Sequence, residues 1–173
     1  MRGDIKLVVL MVLVSVLVRS GVGLSPFSGK FNSSPAHGVP WGDFECHRTW
    51  FTITQNLPVS LWYANTTLSN TTYWPLDYPP LCAYFHNTFS YLIYAAAPYA
   101  VSLDAKQGES DPQFIAAMRL IVILGELFIF APGLYFFLKT FTKCHQKTLL
   151  VIWFTLLNIP PALFVDHGHY QFN

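Results

Sequence analysis

The sequence predicts an all-α membrane protein with about three transmembrane helices and one long polar loop. Of the 173 residues, 53% are hydrophobic and 11% are charged. The apolar residues gather into long blocks, and three of these blocks approach the roughly 20 residues that a membrane-spanning helix needs. The net charge of +1 provides no basic face, so we expect no nucleic-acid partner.

The first apolar block, Ile5–Leu24, has Arg2 and Lys6 at its front. A cleavable signal peptide is one hypothesis, because the apolar core has the length of a signal h-region. The charged Arg19 fits a cleavage region poorly, which favours a retained helix. We therefore assign residues 1–24 to a cytoplasmic N-terminus and the first transmembrane helix, and a secreted protein remains the alternative.

The second and third blocks, 114–138 and 148–165, are joined by a segment, 139–147, with three lysines and no acid. The excess of lysine places this segment on the cytoplasmic side of the membrane. The third helix then returns the tail of 148–173 to the far side. It follows that residues 25–113 form a long lumenal loop.

A fourth apolar stretch, Leu81–Val101, contains His86, Asn87 and several tyrosines. Tyrosine is enriched at membrane interfaces, so we predict a helix that lies in or beside the interface. If this stretch crosses the membrane instead, the lysine segment becomes lumenal and contradicts the positive-inside rule.

The composition of the long loop agrees with a lumenal location. It carries three N-x-Ser/Thr glycosylation sequons, at Asn32, Asn65 and Asn70. It also carries Cys46 and Cys82, which share the oxidising side. A disulfide between them is possible, although we favour two unpaired, partly buried thiols.

Asp43 stands after Gly42 at the predicted start of a helix near Phe44. An aspartate in this position is typical of an N-cap, which alone stabilises a helix by about 1 kcal/mol. Glu45 precedes Arg48 by three residues, a spacing that places an ion pair on one helix face. The stretch resembles an amphipathic juxtamembrane helix.

A second acid, Asp77, lies in the stretch "WPLDYPPL" between Trp74 and Tyr78. Its prolines exclude the interior of a helix or of a central strand. An Asx-type turn is one explanation for Asp77. Because Asp43 and Asp77 share a stiff, aromatic-rich loop beside a membrane, the pair also suits recognition of a polar head group attached to a lipid.

Ionisable residues outside that loop each admit two interpretations. His167 and His169 could ligate zinc with Asp166, but no further ligand stands at a suitable spacing, so we expect no metal. Arg119 and Glu126 lie seven residues apart, about two turns along one face. Ionisable residues at membrane depth pair or function, so we expect either a structural ion pair or a substrate contact.

Four stretches in chain order resemble one known family. They are "GLSPFSGK", "GDFECHRTWFTITQNLPVSLWY", "YWPLDYPPLCAY" and "VDHGHYQFN". The chain is similar over nearly its whole length, from about Gly23 to Asn173, to the dolichyl-phosphate-glucose glucosyltransferases of the endoplasmic reticulum membrane. These enzymes belong to the GT-C superfamily, and the resemblance implies a GT-C-type N-terminal module with an active site on the lumenal side.

The resemblance implies a glucosyltransferase that moves glucose from dolichyl phosphate glucose onto the mannose-rich, lipid-linked oligosaccharide of N-glycosylation. The implied mechanism is inverting, with Asp43 as catalytic base and no cofactor or metal. The implied partners are the dolichol-linked donor, the oligosaccharide acceptor and membrane lipid. The residues implied in substrate binding are Asp77, Tyr78, Glu45, Arg48, Trp74, His167 and His169.

Two close relatives within the family add the first and the second α-1,3 glucose. "LDYPPLCAY" and Gly168 resemble the first-glucose enzyme, which we favour, whereas His47 before Arg48 resembles the second. The family's lumenal arginine is missing, with Lys106 nearby, and Glu126 stands where relatives more often have Asp. Family members continue with many more spans, so we also keep the hypothesis of a truncated, non-catalytic remnant or subunit.

Overall fold

A computed structural model describes residues 2–27, 42–68 and 73–170, and these ranges contain helices and no strand. The predicted all-α fold class is therefore confirmed. The α-helices are α1 (Arg2–Gly23), α2 (Gly42–Asn56), α3 (Pro80–Ala96), α4 (Pro112–Gly125), α5 (Ala131–Phe141), α6 (Gln146–Leu157) and α7 (Pro160–Ala162). Short 3₁₀ turns occupy Val59–Leu61 and Pro98–Val101, and π-helical segments occupy Glu126–Phe130 and Leu163–His169.

The chain divides into two compact units. The motif unit is Ser28–Ile121, and the span unit combines Met1–Phe27 with Val122–Asn173. The motif unit contains α2 and α3, whereas the span unit contains α1 and α5 to α7. Each unit has its own core and is described separately.

Two helical stretches of the described chain are long and apolar enough to cross a membrane, Ile5–Gly23 and Pro112–Phe141. A third span results if Gln146–Leu157 and Pro160–His169, which meet at 41°, are taken together. The three predicted apolar blocks therefore correspond to helices. Large apolar side chains such as Leu10 and Leu17 remain exposed, as lipid-facing residues are.

Two prolines interrupt the regular hydrogen bonding of the apolar helices. The ring of Pro132 conflicts with the carbonyl four residues earlier, and the helix widens into the π-helical segment Glu126–Phe130 just before it. Ile159 precedes Pro160 and is extended, with ψ of 136°. The third apolar block, predicted as one continuous helix, is therefore broken after α6.

The α5–α6 hairpin of the span unit is held by an apolar core and one indole bond. The buried core residues are Ala131, Leu138, Leu149, Trp153 and Leu157. The Trp153 indole N–H donates to the carbonyl of Ala131 at 2.8 Å. Because the indole nitrogen is buried, this bond removes the cost of an unsatisfied donor.

Arg19 is the polar centre of the span unit and is only 1% exposed. Its guanidinium donates to both carboxylate oxygens of Glu126. It also donates to the Asn158 side chain at 2.9 Å and to the carbonyls of Ser15 and Leu157 at 3.2 and 2.6 Å. All five N–H groups of the guanidinium thus have acceptors. These bonds join α1 to the end of α6 and to the π-helical segment Glu126–Phe130.

Glu126 therefore has ion-pair partners that its sequence spacing does not suggest. Within the span unit, Arg19 and His167 bind its carboxylate, with His167 Nε2 at 2.5 Å. The two interpretations of Arg119 and Glu126, an ion pair or a substrate contact, stay predictions. Arg119 lies in the motif unit, on the part of α4 that precedes Val122. The signal was present in the sequence, since an arginine within an apolar block requires an acid.

Neutralising Glu126 alone is expected to destabilise the span unit. In a Glu126→Gln variant, Arg19 keeps its charge in a buried site without a counterion, which costs about 3–5 kcal/mol. The double variant Arg19→Met/Glu126→Met removes both charges and should recover most of that loss. Thermal unfolding in detergent measures the stability of the single and the double variant, and Glu109→Gln, on a polar turn, is the control. A Glu126→Gln protein as stable as the control contradicts the assignment.

Helix α2 is the centre of the motif unit, and it packs against α3 and against the 3₁₀ turn Pro98–Val101. Both of its predicted faces are buried, the apolar one and the one with Glu45 and Arg48. The core around it consists of Cys46, Trp50, Ile53, Leu57, Trp62, Leu76 and Ala83. A helix buried on all sides can hold a site rigidly.

Helix α3 presents apolar and aromatic side chains outward. Tyr84, Tyr91 and Tyr94 are about half exposed or more, at 50%, 60% and 53%, and Leu81 is 82% exposed. With 17 residues, α3 is not among the described helices that meet the length of a span. Its location in the membrane interface remains a prediction, which this aromatic surface supports.

The start of α4 is fixed by a side-chain cap. The carboxylate of Asp111 accepts hydrogen bonds from the backbone N–H groups of Gln113 and Phe114, at 2.8 and 3.2 Å. Pro112 follows at the first helical position, where its missing N–H has no cost. A hydrogen bond from Tyr99 is the largest influence that lowers the pKa of Asp111, so the cap remains ionised.

Candidate active site

Asp43 lies in the first turn of α2. The helix begins at Gly42, whose φ of 61° lies in the left-handed region that favours glycine. Asp43 therefore lies inside the first turn and is not the N-cap that we predicted, because the helix begins one residue earlier, at Gly42. Asp43 is half-buried and lies at the positive end of the helix dipole, which stabilises its carboxylate.

The loop that carries Asp77 is fixed by side-chain hydrogen bonds to α2 and to the segment that follows the 3₁₀ turn Val59–Leu61. The Trp50 indole N–H donates to the carbonyl of Pro75 at 2.8 Å, and the Tyr63 hydroxyl donates to the carbonyl of Tyr78 at 2.8 Å. Leu76 is buried, whereas the neighbouring Asp77 is exposed. The loop is thus anchored on both sides of an acid that faces solvent.

The two acids predicted from the sequence act on a common set of neighbours. The pKa of the Cys46 thiol is raised by burial first and then by the negative charges of Asp77 and Asp43. Burial and the same two carboxylates also raise the pKa of Tyr78. The fold therefore places both Asp43 and Asp77 near Cys46 and Tyr78, although 34 residues separate the two acids in the sequence.

Aromatic side chains form a wall at the loop that carries Asp77. The rings of Trp50 and Tyr78 have centroids 4.8 Å apart, and Trp74 packs against the same core. Flat aromatic faces bind the C–H surfaces of sugars, and carboxylates accept hydrogen bonds from sugar hydroxyls. Trp50 is 2% exposed, so Trp74 and Tyr78 are the rings of this wall that are open to a sugar.

The predicted ion pair between Glu45 and Arg48 is confirmed. Arg48 donates through Nε and Nη2 to the two carboxylate oxygens of Glu45, at 2.7 and 2.5 Å. Its Nη1 donates to the carbonyl of Ala100 at 2.9 Å, and the Tyr73 hydroxyl donates to Glu45 at 3.2 Å. Both charged groups are buried, so the pair connects α2 to the 3₁₀ turn Pro98–Val101.

A histidine pair beneath the site was not predicted. Burial lowers the pKa of His86 to about 4 and lowers that of His47 well below its usual value. The Nδ1–H of neutral His86 donates to the carbonyl of Cys82 at 2.8 Å. Its Nε2 is then an acceptor, and His47 Nδ1 donates to it at 3.0 Å. Sequence periodicity gives no signal for this pair, because 39 residues separate the two histidines.

The two cysteines of the motif unit are free thiols in the structure. The sequence left a disulfide or two unpaired thiols open, and the structure contains the unpaired thiols. Burial and the charge of Asp77 raise the pKa of Cys82 to about 11. Thiols with raised pKa values are poor nucleophiles at neutral pH, so neither cysteine has the character of a catalytic residue.

The predicted residues of the C-terminal motif belong to the span unit. His167 is buried against Glu126, whereas His169 is exposed. Within the described ranges, no three His, Cys, Asp or Glu side chains converge as metal ligands. Of the sequon asparagines, Asn65 is exposed, and Asn32 and Asn70 lie outside the described residues.

The structure is thus that of an all-helical membrane protein with a carboxylate site on a buried helix. A comparison with protein-family models matches residues 9–173 to the ALG6, ALG8 glycosyltransferase family. The match covers nearly the whole chain. The protein therefore belongs to the ALG6, ALG8 glycosyltransferase family.

Curated relatives give the same family. The chain is 36% identical over 98% of its length to the Dictyostelium discoideum "Probable dolichyl pyrophosphate Man9GlcNAc2 alpha-1,3-glucosyltransferase". It is 37% identical over 93% of its length to the protein of that name from Arabidopsis thaliana. A Saccharomyces cerevisiae dolichyl pyrophosphate Man9GlcNAc2 alpha-1,3-glucosyltransferase is 34% identical over 92%. The chain spans only 32%, 30% and 28% of these relatives, respectively.

The neutral histidine pair is expected to make stability depend on pH. The unfolded chain protonates its histidines near pH 6.5, whereas the folded motif unit keeps His86 neutral to about pH 4 and His47 neutral to a low pH. As the pH falls from 7 towards 4, the unfolded state therefore binds more protons, and stability declines by up to about 1.4 kcal/mol per proton and pH unit.

Thermal unfolding between pH 7 and pH 4 measures this decline. A His86→Gln variant keeps an amide N–H for the Cys82 carbonyl and should lose part of the pH dependence. His145→Gln, which changes an exposed histidine, serves as the control. An unchanged pH dependence in His86→Gln would show that the buried pair does not remain neutral.

Proposed function

We propose that the chain forms the N-terminal part of an α-1,3-glucosyltransferase that glucosylates a lipid-linked oligosaccharide. The donor is dolichyl phosphate glucose, and the acceptor is the Man9GlcNAc2 glycan that the relatives' names state. The observation that carries this proposal is the half-buried position of Asp43 in the first turn of α2, with Asp43 and Asp77 both near Cys46 and Tyr78. Family membership supports it.

In the proposed reaction Asp43 is the catalytic base. Its carboxylate takes the proton of the acceptor 3-hydroxyl while that oxygen attacks C1 of the donor glucose. The bond from C1 to the phosphate oxygen breaks, and dolichyl phosphate leaves with the electron pair. The β-linked donor yields an α-linked product. A phosphate leaving group needs no protonation, so one carboxylate suffices, in contrast to the two of an inverting glycosidase.

The neighbouring residues take supporting roles in this proposal. Asp77 is exposed beside Asp43 and orients hydroxyl groups of the acceptor or the donor. Trp74 and Tyr78 supply the aromatic surface for a sugar ring. Glu45 and Arg48 are buried and bonded to each other, so they hold α2 in place.

The proposal places the protein in the endoplasmic reticulum membrane with the motif unit on the lumenal side. The basic residues Lys139, Lys143 and Lys147 support a cytoplasmic location for the connection between α5 and α6. His167 and His169 then lie near the lumenal end of the third span. There the exposed His169 approaches the donor phosphate, and no metal or cofactor is required.

A second candidate is a membrane protein of this family without catalytic activity. The chain spans about a third of the length of its relatives, and the assay of the unfused chain described below tests this candidate. A second-glucose transferase is the other alternative, which His47 before Arg48 supports. The acceptor distinguishes the two enzymes, since the second requires a glycan that already carries one glucose.

Replacing Asp43 by Asn is expected to abolish glucose transfer. The chain is fused in place of the matched segment of the Saccharomyces cerevisiae relative and expressed in yeast that lacks that relative. We expect Asp43→Asn to lower transfer from dolichyl phosphate glucose to the Man9GlcNAc2 acceptor by about 100-fold or more, the effect of losing a general base. Glucosylated lipid-linked oligosaccharide is quantified from microsomes.

Asp104→Asn, on an exposed turn, is the matched control and should transfer normally. Full activity in Asp43→Asn contradicts the role of Asp43. Transfer to a singly glucosylated acceptor alone supports the second-glucose assignment. The unfused chain is assayed in parallel, and transfer by it rules out the non-catalytic alternative.

A further inference from the structure

The motif unit contains a pocket of about 210 Å³ to which the proposed chemistry assigns no role. It lies along α2 beyond the catalytic turn, between that helix and the segment 102–107. Asp43 and Asp77 do not line it. The lining residues that matter for binding are Arg48, Thr52, Tyr73, Ser102, Leu103 and Gln107.

The size of the pocket limits its ligand to a single small ring. Pockets for drug-sized ligands measure roughly 300–1,000 Å³, so 210 Å³ is too small for an extended molecule. A sugar residue of a longer glycan fits this limit, because only one ring has to enter. A lipid chain does not fit, since polar side chains form much of the wall.

The charge in the pocket wall is already neutralised. The guanidinium of Arg48 is bonded to both carboxylate oxygens of Glu45 and to the carbonyl of Ala100. Because Arg48 is 4% exposed, it offers little surface to a free anion. The pocket therefore favours a neutral ligand over a phosphate.

The remaining polar groups suit hydroxyl groups. The Ser102 oxygen accepts from the N–H of Asp104 at 3.3 Å, and its own O–H can still donate. The Tyr73 hydroxyl donates to Glu45 and can still accept. Gln107 is exposed and carries both donors and an acceptor. Leu103 and Ile53 add apolar surface for the C–H face of a pyranose.

We propose that this pocket binds a neutral hexopyranose, namely a mannose of the acceptor glycan other than the one that receives glucose. This inference rests on the proposed function. Thr52 lies nine residues beyond Asp43 in α2, or about 13 Å along the helix axis. A general base must lie within about 3 Å of the proton that it takes, so the ring in the pocket is not the reacting ring. The pocket positions the acceptor at a distance.

Sugar binding tests the pocket without catalysis. The purified chain in lipid nanodiscs is titrated with methyl α-mannoside, methyl β-glucoside and inorganic phosphate, and binding is followed by saturation-transfer NMR. We expect the mannoside to bind, and Ala105→Trp, which fills the pocket, to abolish binding. Gln107→Leu and Ser102→Ala should each weaken binding about five- to tenfold, the effect of one lost hydrogen bond.

Gln113→Leu and Ser110→Ala are matched controls outside the pocket and should bind as the parent does. Thermal unfolding confirms that each variant is folded. Absence of mannoside binding, or binding that Ala105→Trp leaves intact, overturns the proposal. Preference for the glucoside would assign the pocket to the donor sugar and likewise overturn it, as would preference for phosphate.

A kinetic measurement separates this inference from the proposed function. In the yeast fusion, Gln107→Leu should raise KM for the lipid-linked acceptor and leave kcat and the donor KM unchanged. Asp43→Asn should lose transfer and keep mannoside binding. If Asp43→Asn transfers normally, the catalytic assignment fails while the pocket stands. If Gln107→Leu leaves the acceptor KM unchanged in an active fusion, the pocket has no role in acceptor binding.

Discussion

The structure depends on the requirement that a buried arginine have acceptors for its N–H groups. In the span unit, Arg19 donates hydrogen bonds to Glu126, Asn158 and two backbone carbonyls. In the motif unit, Arg48 donates hydrogen bonds to Glu45 and to the carbonyl of Ala100. An unpaired buried charge costs several kcal/mol, so each guanidinium stabilises only an arrangement in which its partners converge. Each arginine therefore fixes how the helices of its own unit pack.

The rigidity of the candidate site follows from this requirement. Helix α2 is buried on both faces, and Arg48 ties it to the turn that contains Ala100. The loop of Asp77 is in turn bonded to α2 through Trp50. Asp43 needs no induced ordering to reach a fixed position, because the helix that carries it is already held. A base with a fixed position is the condition for efficient proton transfer.

Local pattern predicted much of the fold and less of the site. The apolar blocks and the Glu45–Arg48 pair were accessible, because each is a matter of length or short spacing. Arg19 and Glu126 are 107 residues apart, and His47 and His86 are 39 apart. Only tertiary packing determines such pairs. Pro160 indicates a break in the third apolar block, where the helices meet at 41°. The prediction used only the length and hydropathy of the block, and so gave one helix.

The two acids of "GDFE" show why geometry is needed to assign a catalytic role. Asp43 and Glu45 stand two residues apart, hence roughly 200° around the helix, and therefore point in different directions. Glu45 is 2% exposed and bound by Arg48 and Tyr73, so protonation would break an ion pair in the core. Asp43 is half-buried, and it is the carboxylate that the proposed reaction uses as the base. Composition treats the two carboxylates alike, whereas the structure buries Glu45 in an ion pair and leaves Asp43 half-buried in the first turn of the helix.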